Sequence, residues 1–384
     1  MDINLLLNNL NAHDINQRLD ALRTLVNEMK GNINKGCFTN NHVHSKYSFS
    51  PYSPSKIVFE AYKNGLAAIG IMDHDSIGGA REFIEAGKIA KIPTTVGAEI
   101  RTDWSNTQFR DITINNPNQK ACVYTCIHGI KEDKIDEVDD FLSPIRRARN
   151  ERNRKMVENL NRLIPDIKLD LEKDVMNVSY ASDGGSITER HILLAAANTL
   201  IEIVGKKEKL INYFNQKLTI NLNDKQKAYL MDDDCDIYEY DIINILKANY
   251  LNKIYVDAQS PEIPDVFNAI KFAHKIDAII AYVYSGDVIN SITEDKKNQK
   301  FEDDFIEDLF KYNKSIGFDA VAFMPTRNTE EQLDKVMYLC RKNDLMQING
   351  EDINQPRQPF ICEKLSNKKY AHLIDTTWDL VNRK

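Results

Sequence analysis

Short apolar runs recur along the chain from about residue 37, and each is followed by a stretch of helical spacing. The runs AAIGIM (67–72), TTVGAEI (94–100), ACVYTCI (121–127), DAIIAYV (277–283), AVAFM (320–324) and LMQING (345–350) predict buried strands. The helical segments 55–65 and 329–344 lie among them. This alternation implies an α/β fold of parallel strands with crossover helices. Where such strands close into a barrel, chemistry collects at their C-terminal ends. Ahead of them, residues 14–30 place Ile15, Leu19, Leu22, Leu25, Val26 and Met29 on one stripe, with Asp14 as a plausible N-cap. Residues 131–250 break the alternation. They hold a charged helix over 143–163, a glycine-containing loop at 181–186, a helix over 187–204 and a polar, acidic stretch at 223–240. The expected organisation is an N-terminal helix in 1–36, a barrel built from 37–130 and 251–384, and a mainly helical insertion, 131–250, capping one end.

At 384 residues, 42% hydrophobic and 28% charged, the chain can bury a sizeable core as one large domain or one domain with an insertion. A net charge of −7 argues against a protein that grips duplex DNA, since that needs a basic surface. A short anionic substrate held through metal ions remains compatible. No apolar run approaches the roughly 20 residues needed to span a bilayer. The start, MDINLLLNNLNAHD, lacks the basic and apolar regions of a signal peptide, so a cytoplasmic location is expected. Cys37, Cys122, Cys126, Cys235, Cys340 and Cys362 are scattered and form no disulfide framework or paired zinc motif. Cys122 and Cys126 read as small core hydrophobes.

The candidate chemistry sits where the alternation puts strand ends. His42-Val43-His44 is extended, and a period of two turns both imidazoles to one face. His74 follows a strand within Asp73-His74-Asp75, Glu99 ends the next in Gly97-Ala98-Glu99, and His128 ends the one after. Glu351 and Asp352 follow the last. Mixed imidazole and carboxylate donors suit Zn²⁺, Mn²⁺ or Fe²⁺ better than calcium. Asp73 and Asp75 are expected to orient His74. His13, His274 and His372 fall in helical or terminal segments and are taken as structural.

These residues resemble the opening motifs of the PHP (polymerase and histidinol phosphatase) superfamily. The likeness runs through His42-Val43-His44-Ser45, Ser53-Pro54, Met72-Asp73-His74-Asp75-Ser76, Gly97-Ala98-Glu99 and Cys126-Ile127-His128-Gly129. It is close over 40–130 and looser over 187–360. The branch it resembles hydrolyses nucleotide phosphates or trims short RNAs from the 5′ end. That branch carries an Arg-rich helix and a Gly-Arg-Pro-His motif, to which Arg146–Arg152 and Thr188-Glu189-Arg190-His191 correspond.

The resemblance implies a distorted (β/α)7 barrel. It implies His42, His44, Glu99 and Asp352 around a first metal, Glu99 and His128 at a second, and His74 at a third. Arg149, Arg190 and His191 would meet substrate, with Arg152 as an alternative to Arg149, and His191 would donate to a phosphate oxygen or protonate the leaving group. The alternatives are a solvated face for the Arg-rich helix and an N-terminal helix histidine at His191. Three positions depart from the family pattern: Phe49-Ser50 where a carboxylate is expected, Tyr282 for the histidine of Ala-His-Pro, and Asn354 for the last histidine. Glu189 stands where the motif has arginine. One or two divalent ions (Mn, Zn or Fe) are therefore expected. The implied function is a phosphoesterase acting through a metal-bound hydroxide on a small phosphorylated compound, nucleotide or short oligonucleotide. The alternatives are a degenerate, non-catalytic metal- or nucleotide-binding module, and hydrolysis of a C–N bond.

Overall fold

The computed structural model describes residues 2–29, 36–232, 237–290 and 297–383. Cys235, with 233–236 of the acidic stretch, lies outside the described residues, as do 30–35. Seven strands form one sheet in chain order: β1 (Thr39–Val43), β2 (Ala68–His74), β3 (Thr94–Asp103), β4 (Cys122–His128), β5 (Ile279–Tyr284), β6 (Ala320–Phe323) and β7 (Met346–Asn349). A separate hairpin pairs 288–290 with 297–299.

The sheet curls into a nearly closed barrel. A parallel bridge from Val43 to Ile353 joins its two edges, carried by the His44 N–H to Ile353 carbonyl bond of 2.9 Å. Two buried amides reinforce the seam. Asn40 donates to the Glu351 carbonyl at 3.1 Å while its own oxygen accepts from the Glu351 N–H at 2.9 Å. Asn41 donates to the Asn349 carbonyl at 3.0 Å. Where regular ladder bonds stop, side chains thus satisfy backbone groups that burial would otherwise leave unpaired.

The expectation of an all-parallel sheet needs one correction. β4 runs antiparallel to both β3 and β5, whereas the other neighbouring pairs are parallel. A β3–β4 connection without a crossover helix allows this reversal, because antiparallel neighbours need no return path along the barrel.

Helices coat the outside: α1 (Ile3–Asn9), α2 (Ile15–Glu28), α3 (Pro54–Lys63), α4 (Ala80–Ala90), then, after the insertion, α10 (Val266–Lys275), α11 (Ile306–Ile316), α12 (Glu330–Lys342) and α13 (Ala371–Val381). The N-terminal segment therefore holds two helices where periodicity suggested one. Between β4 and β5 come α5 (Ile135–Leu163), α6 (Glu189–Val204), α7 (Glu208–Gln216), α8 (Asp224–Met231) and α9 (Tyr238–Ile254). The polar stretch at 223–240 accordingly contains helix α8 and the start of α9.

α5 begins eight residues before the expected 143 and runs through Pro144. Proline removes a helical hydrogen bond, but Ile135, Val138, Leu142 and Ile145 bury on the barrel side and offset that loss. Beyond residue 156 the same helix joins a second core, shared with α6 to α9, that includes Met156, Leu160, Ile192, Leu200, Leu246 and Ile254. No helix among the described residues is long and apolar enough to cross a membrane.

Candidate metal centre

β1 delivers His42 and His44 to the C-terminal mouth of the barrel, β2 delivers His74, and the turn after β7 delivers Asp352. Glu99, expected to end its strand, lies within β3, which continues to Asp103. Their donor atoms converge. The Nε2 atoms of His42 and His44 are 3.2 Å apart. Glu99 Oε2 lies 3.6 Å from His42, 3.8 Å from His44 and 2.8 Å from His74 Nδ1. Asp352 Oδ1 is 3.1 Å from His44 Nε2. Three overlapping triads are close enough to share an ion: His42/His44/Asp352, His44/His74/Glu99 and His42/Glu99/Cys126.

Backbone and second-layer contacts hold these groups in place. Asp73 accepts from the Ser45 N–H at 2.7 Å, the Ser45 hydroxyl at 2.6 Å and the Ser48 hydroxyl at 2.6 Å. Ser48 has given its only proton to Asp73, so at 3.3 Å from His44 it is placed to accept from Nδ1–H. That tautomer leaves the His44 Nε2 lone pair aimed at the carboxylates. Asp73 was expected to orient His74; it orients the turn after β1, and through it His44. Gly350 permits the crowding, since a Cβ there would lie 2.5 Å from the Cβ of His42.

The electrostatics fit a cation. Burial opposes ionisation of Glu99, yet His74 and His42 hold its carboxyl far below the ordinary carboxylate range. Asp352 is likewise held down by His44 despite burial. For His42 and His74, burial favours the neutral ring, but Glu99 outweighs it and both are raised. Two imidazole nitrogens at 3.2 Å with carboxylate oxygens beside them form an N/O donor set that matches a divalent transition ion.

Three expected site residues are placed elsewhere. Because β4 is reversed, His128 pairs with Gly97 and Cys126 pairs with Glu99. His128 is thus one side-chain layer deeper than the triads and belongs to none of them. It is buried, Nε2 has no hydrogen-bond partner, and burial pushes its pKa down to about 3.

Tyr282 turns out of the barrel, packs against Phe310 and donates to Glu302 Oε1 at 2.8 Å. Ala281 and Val283 take the inner face there. His191 is buried at the start of α6, where its Nδ1 accepts from the Thr188 N–H at 3.0 Å and its ring meets Phe49 edge-on at 5.1 Å. It serves as a helix cap, with a pKa lowered by burial to about 3.

The Arg-rich helix is also reassigned. Arg149 is buried in ion pairs with Asp75 and, at 3.6 Å, with Glu189. Arg152 binds Glu262 at 2.8 Å, and Arg101 of β3 pairs with the same carboxylate. These arginines fasten α5 to the barrel. Asp75, expected to orient His74, faces Arg149 instead. Glu351 bonds to Thr326 and turns away from the triads. Asn354 donates to Asp352 Oδ1 at 2.8 Å, which positions that carboxylate.

A cavity of about 970 Å³ opens above the centre. His42, His74, Glu99 and Asp352 reach it from below, with Arg190, Lys247 and Arg327 on its walls. Of the substrate contacts expected from sequence, Arg190 alone lines it; Lys247 and Arg327 carried no motif that would mark them. Asn115, Asn221, Asn223, Asn249 and Asn252 add amides.

Glu302, met behind Tyr282, yields a pH prediction. Burial pushes its carboxyl up to about 7, against the Ser285 N–H and Tyr282 hydroxyl that favour the anion. The folded state therefore keeps a proton that the unfolded chain releases near 4.5. Its contribution to stability is complete below that value and fades as pH rises through about 7, by about 3 kcal/mol in all. In urea titrations between about pH 5 and pH 8, Glu302→Gln should lose less stability than the unsubstituted protein. Parallel pH profiles for the two would refute the assignment.

Comparison with known proteins places the centre in context. The PHP domain profile matches residues 40–230. A stretch of 105 residues is 34% identical to the 5′-3′ exoribonuclease of Haemophilus influenzae, covering 26% of this chain and 38% of the relative. A stretch of 61 residues is 41% identical to the error-prone DNA polymerase of Mycobacterium tuberculosis, covering 15% of this chain and 6% of the polymerase. The matched part is well under two thirds of either relative. A structure assigned as a metal-dependent phosphoesterase from Bifidobacterium adolescentis superposes with a TM-score of 0.57 at 18% identity, over 90% of this chain and 96% of that one. An amidohydrolase from Chromobacterium violaceum, solved with sulfate and no metal, gives 0.56 at 16% identity, over 84% and 89%. At such identities the superpositions establish the shared fold.

Proposed function

The chain belongs to the PHP family, and from that premise we propose that it is a metal-dependent hydrolase of phosphoesters, with a small phosphorylated compound, nucleotide or short oligonucleotide as substrate. The observation that carries this reading is the convergence of His42, His44, Glu99 and Asp352 at the floor of a cavity whose walls hold Arg190, Lys247 and Arg327. These four residues would hold the principal ion, with His74 beside Glu99 as a further donor. A divalent ion there supplies Lewis acidity: it lowers the pKa of water toward neutrality and offsets charge on phosphoryl oxygens.

The chain's own groups do the rest. Arg190, Lys247 and Arg327 draw an anion into an otherwise acidic protein. Glu189, also on the wall, limits how much negative charge fits beside Arg190. The amides of Asn221 and Asn252 offer donors and acceptors suited to a nucleobase or sugar edge. Insertion helices α8 and α9 line the cavity with Gln226, Lys247 and Asn252.

A second reading has its own observation. On the β5 side the inner face shows Ala281 and Val283, so that wall gives a second ion no donor. This favours a centre that binds metal without turnover. Elemental analysis after loading with Mn²⁺, Zn²⁺ or Fe²⁺, followed by a panel of nucleotides, short 5′-phosphorylated RNAs, small phosphomonoesters and amides, separates the two. One to two equivalents of metal with phosphate release supports hydrolysis. Bound metal with no turnover supports the binding module, and turnover of amides alone would move the chemistry to C–N bonds.

A further inference from the structure

Cys126 occupies a position that an ordinary core cysteine does not. It is fully buried on β4 directly opposite Glu99, and its Sγ, a Glu99 oxygen and a His42 nitrogen all lie within 4.8 Å of one another. Among the described cysteines, it alone falls in such a group. Cys122, also on β4, and Cys340, on α12, are buried without comparable partners.

An ion with sulfur at about 2.3 Å and nitrogen or oxygen at about 2.0–2.1 Å, in four- or five-coordinate geometry, sets neighbouring donors roughly 3–4 Å apart. Small side-chain adjustments bring these three atoms to that spacing. The surrounding inner wall makes the sulfur more telling. Ala281 and Val283 of β5 and Ala320 and Ala322 of β6 contribute no donor; on β4, Cys126 groups with His42 and Glu99 while His128 lies one layer deeper.

We propose that the Cys126 thiolate is a ligand of the ion bound by His42 and Glu99, and that this sulfur makes the centre prefer Zn²⁺ or Fe²⁺ over Mn²⁺ and Mg²⁺. The proposal rests on the metal-centre reading above and deepens it. Thiolate is a soft donor, and it shifts a nitrogen/oxygen site toward softer ions. Binding releases the thiol proton to solvent as the metal–sulfur bond forms.

X-ray absorption on the zinc-loaded full-length protein tests this without a substitution. One sulfur neighbour at about 2.3 Å, beside nitrogen and oxygen at about 2.0–2.1 Å, is expected. Cobalt-loaded protein should show a thiolate-to-metal charge-transfer band that Cys126→Ser abolishes and Cys340→Ser retains. In competition, Cys126→Ser should lower the Zn²⁺ over Mn²⁺ preference by about tenfold or more. A shell of nitrogen and oxygen alone, or a band that survives Cys126→Ser, overturns the role of Cys126 and leaves the metal centre standing. Failure of the unsubstituted protein to take up any zinc or cobalt overturns both.

Discussion

Replacing Glu99 with Gln is expected to remove bound metal and hydrolysis together, with turnover falling on the order of 10³-fold or more. Glu99 is the carboxylate common to two of the three donor triads. Its charge also holds His42 and His74 against the cost of burial. The amide keeps the shape and one oxygen but loses the charge, so the converging imidazoles no longer have an anion to share a cation with. Metal equivalents by elemental analysis and phosphate release should fall in parallel, while the far-ultraviolet circular dichroism stays that of the unsubstituted protein. Full metal content in the variant would refute the centre described here.

The second large effect concerns stability. Glu262 accepts from Arg152 at 2.8 Å and from Arg101, and all three side chains are buried. Glu262→Gln leaves two guanidinium groups without their anion in a site that water does not reach. Breaking a buried ion pair by removing one partner costs roughly 3–5 kcal/mol. A lowered urea midpoint of that size is expected. Since Arg152 lies on α5 and Arg101 on β3, the helical insertion should loosen first, visible as faster amide exchange in α5 and α6 than in the barrel strands. A change within about 0.5 kcal/mol would show that the cluster contributes specificity of packing and little net stability.

Much of the centre is legible in the sequence. His42 and His44 share a face because an extended chain alternates. His74, Glu99 and Asp352 stand at or just beyond strands that their apolar runs reveal, and donors of these types seldom gather by accident. Cys126 was read only as core, although it stands two residues before His128 in the same motif. A period of two gives residues 126 and 128 the same face, so alternation cannot say which one meets Glu99. That depends on the strand's direction and register. Likewise Ile279 to Tyr284 is apolar on both faces, and nothing in the run IIAYVY tells which way Tyr282 points.

The sequence by itself determined the strand–helix order, the helical character of the insertion and the chemical types available at the barrel mouth. These rest on local periodicity and on the ligand chemistry of individual side chains. Only the tertiary structure decided that β4 runs backwards, that Cys126 faces the metal centre and His128 lies beneath it, and that Tyr282 serves the outer core. It also decided that Arg149 and Arg152 fasten a helix while Arg190 meets the cavity, and that His191 caps α6. Each of these turns on which residues far apart in the chain come to lie opposite one another. Strand direction, register and ion-pair choice are energies of pairs, and a pair has no energy until the fold has brought both members together.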